Sequence, residues 1–404
     1  MNLGFKENRD EHKVKLEVRL QLVSSLPFAY PEFACRIMKE QIRWGILGTG
    51  RIANAFAEGL SVLTDAELKA VGSRNPKTAI AFAEKWQIAN RHASYESLAS
   101  DQEIDAVYIA TPHTEHASNA VMCIEAAKAV LCEKPMTMSI EEGEEIVRVV
   151  KATGKICAVN YCYSAYPMIR QARAMVRANE IGKIRLVVTN FSHGHHGDAT
   201  DADNPRVRWR YDPKMAGVSG QFADCGIHAM HMASFICDDE VEKLSADFAS
   251  TISSRELEDD AMVNFRMIRG TVGRLWTSSV AIGRQHGFDI QVFGETGGLR
   301  WASEQPNQLI YTPVGERTQI IEKGESGLHA DAARLSRVSI AHPEGFPLAV
   351  ANIYCDLADA IRGEIRDGLP NAIDGLRSMT AVHTAVKSAK NDGKWLDARP
   401  PMLR

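Results

Sequence analysis

The feature that most constrains the fold is the run Gly-Thr-Gly-Arg-Ile-Ala at residues 48–53, which follows a β-rich segment and opens a helical pattern that continues to Leu60. In such a GxGxxA run, the first glycine permits a tight turn, the second lets the backbone approach a pyrophosphate, and the alanine allows close packing of helix on strand. The free amides of the helix N-terminus attract an anion. This context predicts a dinucleotide-binding domain, and the alternative is a glycine turn without a ligand.

Strand-like and helix-like segments alternate from this run to residue 161. Three later segments have the composition of buried strands: residues 67–72, 105–111 and 155–161. Ser139 and Glu142 have the spacing of a capping box, and Gly154 is placed to end the helix that this box begins. The alternation predicts an α/β fold with a doubly wound, mostly parallel sheet.

The pattern changes after residue 161. A helix over residues 167–178 is followed by strand-like segments at residues 183–192, 241–252, 260–267, 272–282, 288–293 and 298–302. Short turns that contain glycine join several of them, so we expect an α+β domain with one open, mostly antiparallel sheet. We expect the second face of segment 272–282, which carries Trp276, to pack on another subunit.

These patterns divide the chain into three parts. We expect residues 38–160 to bind the dinucleotide and residues 161–404 to bind the substrate and form oligomers, with the last helix packing back on the first domain. Residues 1–37 are rich in charge and make a poor secretory signal, so we interpret them as a weakly ordered extension or the product of an upstream start codon.

Composition excludes several classes of function. The net charge of −4 and the lack of a long basic block argue against a nucleic-acid partner. No apolar run approaches the length of a membrane span. The eight cysteines form no CxxC pair, which is typical of reduced thiols in a cytoplasmic protein.

The choice between cofactors depends on the end of the second strand. An NAD site places an acid there for the ribose hydroxyls, whereas this chain has Ser73-Arg74, which suits a 2′-phosphate. We therefore predict NADP as the preferred cofactor and NAD as a possible one. The alternative is that the Arg74 side chain is only solvated.

Two segments supply candidates for catalysis. Lys134 lies in Glu-Lys-Pro at the end of a short apolar run, and strand ends of this kind face cofactor and substrate. In a helix, Asp224 and His228 would lie one turn apart, where an acid can fix the tautomer of an imidazole and raise its basicity. The alternatives are a surface Glu-Lys pair and an ordinary helix-surface pair.

Other residues are candidates for binding. The cofactor candidates are Gly48, Thr49, Gly50, Arg51, Ile52, Ser73, Arg74, Thr111, Pro112, His113, Glu133 and Lys134. The substrate candidates are Tyr161, His193, His195, Arg208, Arg210 and His342. Histidines crowded at residues 193–196 are weak evidence for a metal, because no partner ligand is evident elsewhere, so we expect none.

The motifs together resemble those of the Gfo/Idh/MocA family, named after glucose-fructose oxidoreductase and inositol dehydrogenase. The resemblance rests on residues 48–53, Thr111-Pro112, Glu133-Lys134-Pro135, Trp209-Arg210 and the run Asp-Cys-Gly-Ile-His at residues 224–228. It implies a Rossmann domain followed by an α/β domain that usually forms oligomers through its sheet. It also implies that Lys134, Asp224 and His228 act together, with His228 as the acid-base residue.

The resemblance implies action on sugars, polyols and related cyclic alcohols. Together with Ser73-Arg74, it leads us to predict interconversion of a secondary alcohol and a ketone on a sugar, glycoside or cyclitol, using NADP(H). A glycosidase of the same fold that oxidises transiently, a dihydrodiol dehydrogenase and a cofactor-sensing regulator are the alternatives. Two positions depart from the family pattern. Val218-Ser219 interrupts the usual glycines before Asp224, and His231 stands where an aspartate is frequent.

Overall fold

A computed structural model of the protein describes residues 40–204 and 207–404. The expected extension at residues 1–37 lies outside the described residues. The described chain contains two sheets. The first is the doubly wound parallel sheet that the alternating pattern predicts, and the second lies in the C-terminal half.

The first sheet has six parallel strands in the order β3-β2-β1-β4-β5-β6. Its strands are β1 Ile42–Leu47, β2 Ala66–Gly72, β3 Asn90–His92, β4 Ala106–Ile109, β5 Ala129–Cys132 and β6 Cys157–Val159. Its helices are α1 Arg51–Ser61, α2 Pro76–Trp86, α3 Tyr95–Ala99, α4 His116–Glu125 and α5 Ile140–Thr153. The order reverses at β1, so the carboxyl ends of β1 and β4 border the crevice where such sheets bind ligands.

Local sequence signals set the boundaries of these elements. Ser139 and Glu142 form the capping box at the start of α5, and Gly154 ends that helix with φ of 66°. Gly48 has φ of 101°, and a Cβ there would lie 2.5 Å from the carbonyl oxygen of Ala110. The turn after β1 therefore requires glycine on both conformational and steric grounds.

The second sheet has nine strands in the order β14-β13-β12-β11-β7-β10-β9-β8-β15. The strands are β7 Leu186–Ser192, β8 Val241–Ala249, β9 Asp260–Met267, β10 Val272–Ser278, β11 Gly287–Phe293, β12 Gly297–Ala302, β13 Gln308–Pro313, β14 Gln319–Glu322 and β15 Leu396–Asp397. Neighbouring strands in the described chain are antiparallel except β7 and β10, which are parallel. The expected mostly antiparallel sheet is confirmed, and β13 to β15 extend it beyond the predicted strands.

The remaining helices cover one face of this sheet and join it to the first domain. They are α6 Pro167–Arg177, α7 Pro213–Ala216, α8 Ile227–Cys237, α9 Ala330–Leu335, α10 Phe346–Ile361 and α11 Ala372–Ala389. α8 lies on β7 and β11, α11 contacts both α5 and β8, and α10 packs on α1. The ring of Tyr354 in α10 lies 4.6 Å from that of Phe56 in α1, so both halves share one core.

Burial on β10 follows the alternation of the strand. Leu275 and Thr277 are buried beneath the helices, whereas Trp276 is only half-buried on the opposite face. Seven cysteines within the described ranges are buried, unpaired thiols. No helix in the described part of the chain is long and apolar enough to cross a bilayer.

Candidate active site

Glu133 and Lys134 follow the last residue of β5, where the strand meets the crevice. The Glu133 carboxylate accepts hydrogen bonds from the hydroxyl of Tyr108, from Nδ2 of Asn160 at 2.6 Å and from the backbone N–H of Lys134 at 3.2 Å. These internal bonds occupy the Glu133 carboxylate, and a cofactor contact by this residue stays a prediction. Glu133 fixes the backbone that carries Lys134.

A buried histidine ties this strand end to the neighbouring one. The ring nitrogens of His116 lie 2.7 Å from the carbonyl oxygen of Pro135 and 2.9 Å from that of Thr111. The hydroxyl of Thr111 accepts a hydrogen bond from Nδ2 of Asn119 at 3.2 Å. The loops after β4 and β5 are therefore held together beside Lys134.

Lys134 crosses from the first domain to the second and meets Asp224. Its Nζ donates to Oδ1 of Asp224 at 2.5 Å and to the carbonyl oxygen of the same residue at 2.9 Å. Burial acts to lower the pKa of Lys134, but the Asp224 charge outweighs it and holds that pKa above its ordinary value. The ammonium therefore stays charged at neutral pH.

Asp224 lies between two cations. Oδ2 is 3.6 Å from Nε of Arg210, whose guanidinium stacks 4.5 Å from the centre of the Trp209 ring. Burial acts to raise the pKa of Asp224, but Lys134 and then Arg210 hold it far below its usual range. The geometry places the substrate candidate Arg210 beside the catalytic candidates.

The expected contact between Asp224 and His228 is wrong. Residues 222–226 form a π-helical turn, and α8 begins only at Ile227, so the α-helix that was expected to carry both residues does not include Asp224. No hydrogen bond or ion pair joins them among the described residues, and Nδ1 of His228 has no hydrogen-bond partner there. Asp224 positions Lys134 rather than the imidazole.

Aromatic rings surround His228. Its ring lies edge-on to Tyr161 at 5.7 Å and to Tyr163 at 5.0 Å, and Phe191 lies at 6.1 Å. Burial, followed by the Lys134 charge, lowers the pKa of His228 well below its ordinary value. The imidazole is therefore neutral at neutral pH and can accept a proton.

Sequence reasoning missed a tyrosine-histidine pair next to His228. The hydroxyl of Tyr163 is 2.6 Å from Nε2 of His286, which precedes β11. Burial raises the pKa of Tyr163 well above its ordinary value. The pair joins residues 123 positions apart, and no local motif marks such a contact.

The cleft next to Asp224 has a buried acidic support that the sequence did not reveal. Its lining includes His113, His196, residues 209–211, residues 219–221 and Glu258. The Glu258 carboxylate accepts hydrogen bonds from the hydroxyl of Ser219 at 2.6 Å and from the backbone N–H groups of Gly220 and Phe222 at 3.0 Å. Ser219, which departs from the family pattern, thus anchors the turn that leads to Asp224.

The histidine loop after β7 lies behind Cys225. Nε2 of His193 is 3.6 Å from Sγ of Cys225, and burial lowers the pKa of His193 to about 4. The exposed ring of His195 stacks on His193 at 4.9 Å, and Nδ1 of His196 is 3.0 Å from Asp201. Within the described ranges, no group of three or more histidine, cysteine or acidic side chains is arranged to hold a metal.

Three other substrate candidates differ in position. Tyr161 is buried, and its ring stacks on His231 at 4.1 Å. Arg208 is exposed at the start of the turn Arg208–Tyr211. The exposed ring of His342 bonds Ser339 within its own loop at 3.0 Å, and its contact with a substrate stays a prediction.

The turn between β1 and α1 can hold a dinucleotide. No side chain caps α1 and no acid lies in its first turn, so the amides that follow Gly50 are open to an anion. A Cβ at Gly50 would meet nothing within 4 Å, so the backbone there borders free space. Thr49 is half-buried, while Arg51 and Ile52 are exposed beside the same turn. These features fit a pyrophosphate.

The loops after β2 and β4 complete this groove. Oγ of Ser73 lies 2.9 Å from Oγ1 of Thr78, and Arg74 pairs with Glu115 at 3.1 Å. Pro112 is exposed, and Nδ1 of the next residue, His113, is buried without a hydrogen-bond partner in the described chain. Burial lowers the pKa of His113 to about 3, so its ring is neutral.

Comparison with known proteins gives the family. Residues 42–161 match the oxidoreductase family with an NAD-binding Rossmann fold, and residues 169–300 match the Gfo/Idh/MocA C-terminal domain. Trans-1,2-dihydrobenzene-1,2-diol dehydrogenase of Bos taurus is 31% identical over 291 residues, which span 70% of this chain and 78% of that protein. The chain belongs to the Gfo/Idh/MocA family.

Other members of the Gfo/Idh/MocA family resemble it over almost the whole length. The uncharacterized oxidoreductase YfiI of Bacillus subtilis (strain 168) is 29% identical over 385 residues, covering 90% of this chain and 98% of that protein. The crystal structure of an inositol dehydrogenase homolog from Azotobacter vinelandii, complexed with NADH and myo-inositol, has a TM-score of 0.81, 29% identity and coverage of 90% and 99%. The protein is thus an oxidoreductase with an NAD-binding Rossmann fold.

Proposed function

We propose that the protein catalyses reversible hydride transfer between NADP(H) and a secondary alcohol of a sugar or cyclitol. The observation that carries the proposal is the convergence of three groups where the two domains meet. Lys134, at the carboxyl end of β5, lies 2.5 Å from Asp224, and His228 packs against Tyr161 and Tyr163, which follow the neighbouring strand β6. This set can hold an alcohol, take its proton and stabilise the resulting oxyanion.

The charge of each site residue determines its proposed role. A bound nicotinamide would supply the hydride acceptor for alcohol oxidation and the hydride donor for ketone reduction. His228 takes the hydroxyl proton, and its lowered pKa keeps the basic form present until the pH falls well below 6.5. The Lys134 ammonium stabilises the negative charge that develops on oxygen, and Asp224 holds that ammonium in place. The rings of Tyr161 and Tyr163 exclude water from the imidazole.

The polar lining supports a substrate with several hydroxyl groups. Arg210, His196 and Gln221 supply donors and acceptors within one cleft beside Asp224. The myo-inositol in the Azotobacter homolog is a ligand of this type. A trans-dihydrodiol is a second candidate, because the Bos taurus relative carries that activity in its name.

We infer a preference for NADP from the end of β2. No acid stands at Ser73-Arg74, and the exposed Arg74 guanidinium suits a phosphate.

We also infer that a second copy covers the open face of the large sheet, where Met262 and Phe293 are exposed. A monomer in light scattering would contradict this. The unpaired thiols among the described residues support a cytoplasmic location.

The proposal is tested with a panel of sugars, glycosides, cyclitols and a trans-dihydrodiol. Absorbance of the reduced nicotinamide and release of product are followed together with NADP and with NAD. We expect cofactor reduction with at least one cyclic polyol and a loss of kcat/KM of about 10² to 10⁴-fold in His228→Asn. Aglycone release without net cofactor reduction would favour the glycosidase, and wild-type rates in His228→Asn would reject the proposed base.

A further inference from the structure

We propose that Glu115 sets the cofactor preference, because its carboxylate competes with a 2′-phosphate for Arg74. This inference rests on the proposed function, since it concerns the adenosine end of the same dinucleotide groove. It assigns a specificity role to an acid that does not belong to the glycine turn, the end of β2 or the catalytic group.

The first observation is where this ion pair lies. Arg74 follows β2, and Glu115 ends the short turn His113–Glu115 after β4. β1 lies between β2 and β4 in the sheet, and its end carries the turn Gly48 to Gly50. The 3.1 Å bridge from Nη1 of Arg74 to Oε1 of Glu115 therefore connects the loops on either side of the strand that leads into the glycine turn.

The second observation is that the Glu115 side chain makes no capping hydrogen bond to α4, the helix that it precedes. This side chain is 33% exposed and that of Arg74 is 62% exposed, so water reaches both charges. An exposed pair of this kind is weak, and a phosphate that binds Arg74 can replace the carboxylate.

The third observation is a ring that holds the arginine near the groove. The Arg74 guanidinium lies 5.8 Å from the centre of the Tyr95 ring in α3. Tyr95 is buried, so this ring is a fixed surface on which Arg74 can remain when its anionic partner changes. The exchange then requires movement of Glu115 rather than loss of the arginine.

The two cofactors differ in what this arrangement offers them. NAD presents a neutral 2′-hydroxyl, so Arg74 can keep Glu115 as its partner and the carboxylate can accept a hydrogen bond from the ribose. NADP presents a phosphate, which must displace Glu115 and is repelled by it. Glu115 therefore restrains a preference for NADP that Arg74 alone would impose.

The experiment compares Glu115→Gln with the matched control Glu125→Gln, which removes an exposed carboxylate at the opposite end of α4. Binding of 2′,5′-ADP and of 5′-AMP is measured by calorimetry, and kcat/KM is measured with NADP and NAD. In Glu115→Gln we expect affinity for 2′,5′-ADP to rise about tenfold, with 5′-AMP affinity unchanged or lower. Glu125→Gln should behave as the wild type. The inference would be overturned if Glu115→Gln left the ratio of 2′,5′-ADP affinity to 5′-AMP affinity unchanged.

A double variant tests whether Glu115 acts through Arg74. In an Arg74→Gln background, Glu115→Gln should raise 2′,5′-ADP affinity much less than it does alone, because there is no longer a cation to release. An equal gain in 2′,5′-ADP affinity in this background would contradict competition between Glu115 and the 2′-phosphate for Arg74. Failure of the wild type to bind any of the nucleotides or either cofactor would instead reject the proposed function, so the two failures are distinguishable.

Discussion

Two cation-carboxylate pairs stand at different places along the carboxyl edge of the first sheet, and they differ in exposure. Lys134 and Asp224 are 17% and 29% exposed and lie 2.5 Å apart, whereas Arg74 and Glu115 are 62% and 33% exposed and lie 3.1 Å apart. The first pair links the two domains. The second links two loops of one domain and faces solvent.

The difference separates fixed charge from exchangeable charge. A pair removed from water interacts strongly, and loss of one partner leaves the other charge poorly compensated. An exposed pair contributes little and is screened by salt. The Lys134–Asp224 pair therefore suits a reaction that needs one constant positive charge, and the Arg74–Glu115 pair suits recognition of ligands that differ in charge.

Of the changes at these two pairs, removal of the fixed cation should have the largest effect. Lys134→Met removes the charge that stabilises the oxyanion and leaves the Asp224 carboxylate with Arg210 as its cation. We expect kcat/KM to fall about 10² to 10³-fold in steady-state assays of alcohol oxidation, with cofactor affinity from fluorescence titration within about threefold of the wild type. Lys155→Met, an exposed lysine between α5 and β6, is the matched control.

A contrary result would be informative. If Lys134→Met kept nearly full turnover, the Lys134–Asp224 pair would have no catalytic role, and a lowered melting temperature in the same variant would mark the pair as structural. The claim that the fixed charge of Lys134 serves catalysis would then be contradicted.

Neutralising the partner should have a smaller effect that depends on pH. In the wild type, the raised pKa of Lys134 keeps its charge below that pKa, so activity falls only as the pH rises above the ordinary value of 10.5. In Asp224→Asn the effect of burial remains and the opposing charge is gone, so the pKa falls. We expect kcat/KM at neutral pH to fall about tenfold and the alkaline limb of the profile to move to lower pH.

The profile of Asp224→Asn is compared with that of Asp247→Asn, which removes an exposed acid on β8. Melting curves at each pH show whether the variant stays folded. An alkaline limb at the same pH as in the wild type would mean that Asp224 does not set the charge of Lys134.

Short-range patterns predicted the first domain and the place of Lys134. Gly48 is required by one turn, Ser139 and Glu142 cap one helix, and a lysine after a short apolar run has one natural place in a doubly wound sheet. Each of these constraints acts within a few residues, so the sequence alone reveals it. The doubly wound parallel sheet and the family resemblance followed from their combination.

The partners of the site residues could not be predicted in the same way. Glu258 meets Ser219 from 39 positions away, and Tyr163 meets His286 from 123 positions away, with no spacing that marks either contact. The error at Asp224 had a local cause, since an α-helix was assumed where the chain forms a π-helical turn. The Asp224 carboxylate instead meets Lys134, 90 positions away.

The smallest effect is expected at the exposed pair. Arg74→Gln removes the cation that suits a 2′-phosphate while leaving the glycine turn, Lys134 and His228 in place. We expect kcat/KM with NADP to fall about tenfold, chiefly through KM, and kcat/KM with NAD to change by less than about threefold. Both values come from initial rates of alcohol oxidation at constant ionic strength, because salt screens an exposed charge.

Arg91→Gln, an exposed arginine on β3, separates recognition by Arg74 from a general loss of positive charge. A fall in NADP efficiency in both variants would mean that only the overall field attracts the cofactor. Equal losses with NADP and NAD in Arg74→Gln would place the arginine against a part that both cofactors share, such as the adenine or the pyrophosphate. A rise in KM for NADP with kcat unchanged would instead show that the Arg74–Glu115 pair governs binding while the Lys134–Asp224 pair governs the chemical step. The reason is that a charge that contacts only the adenosine end contributes equally to the ground state and the transition state.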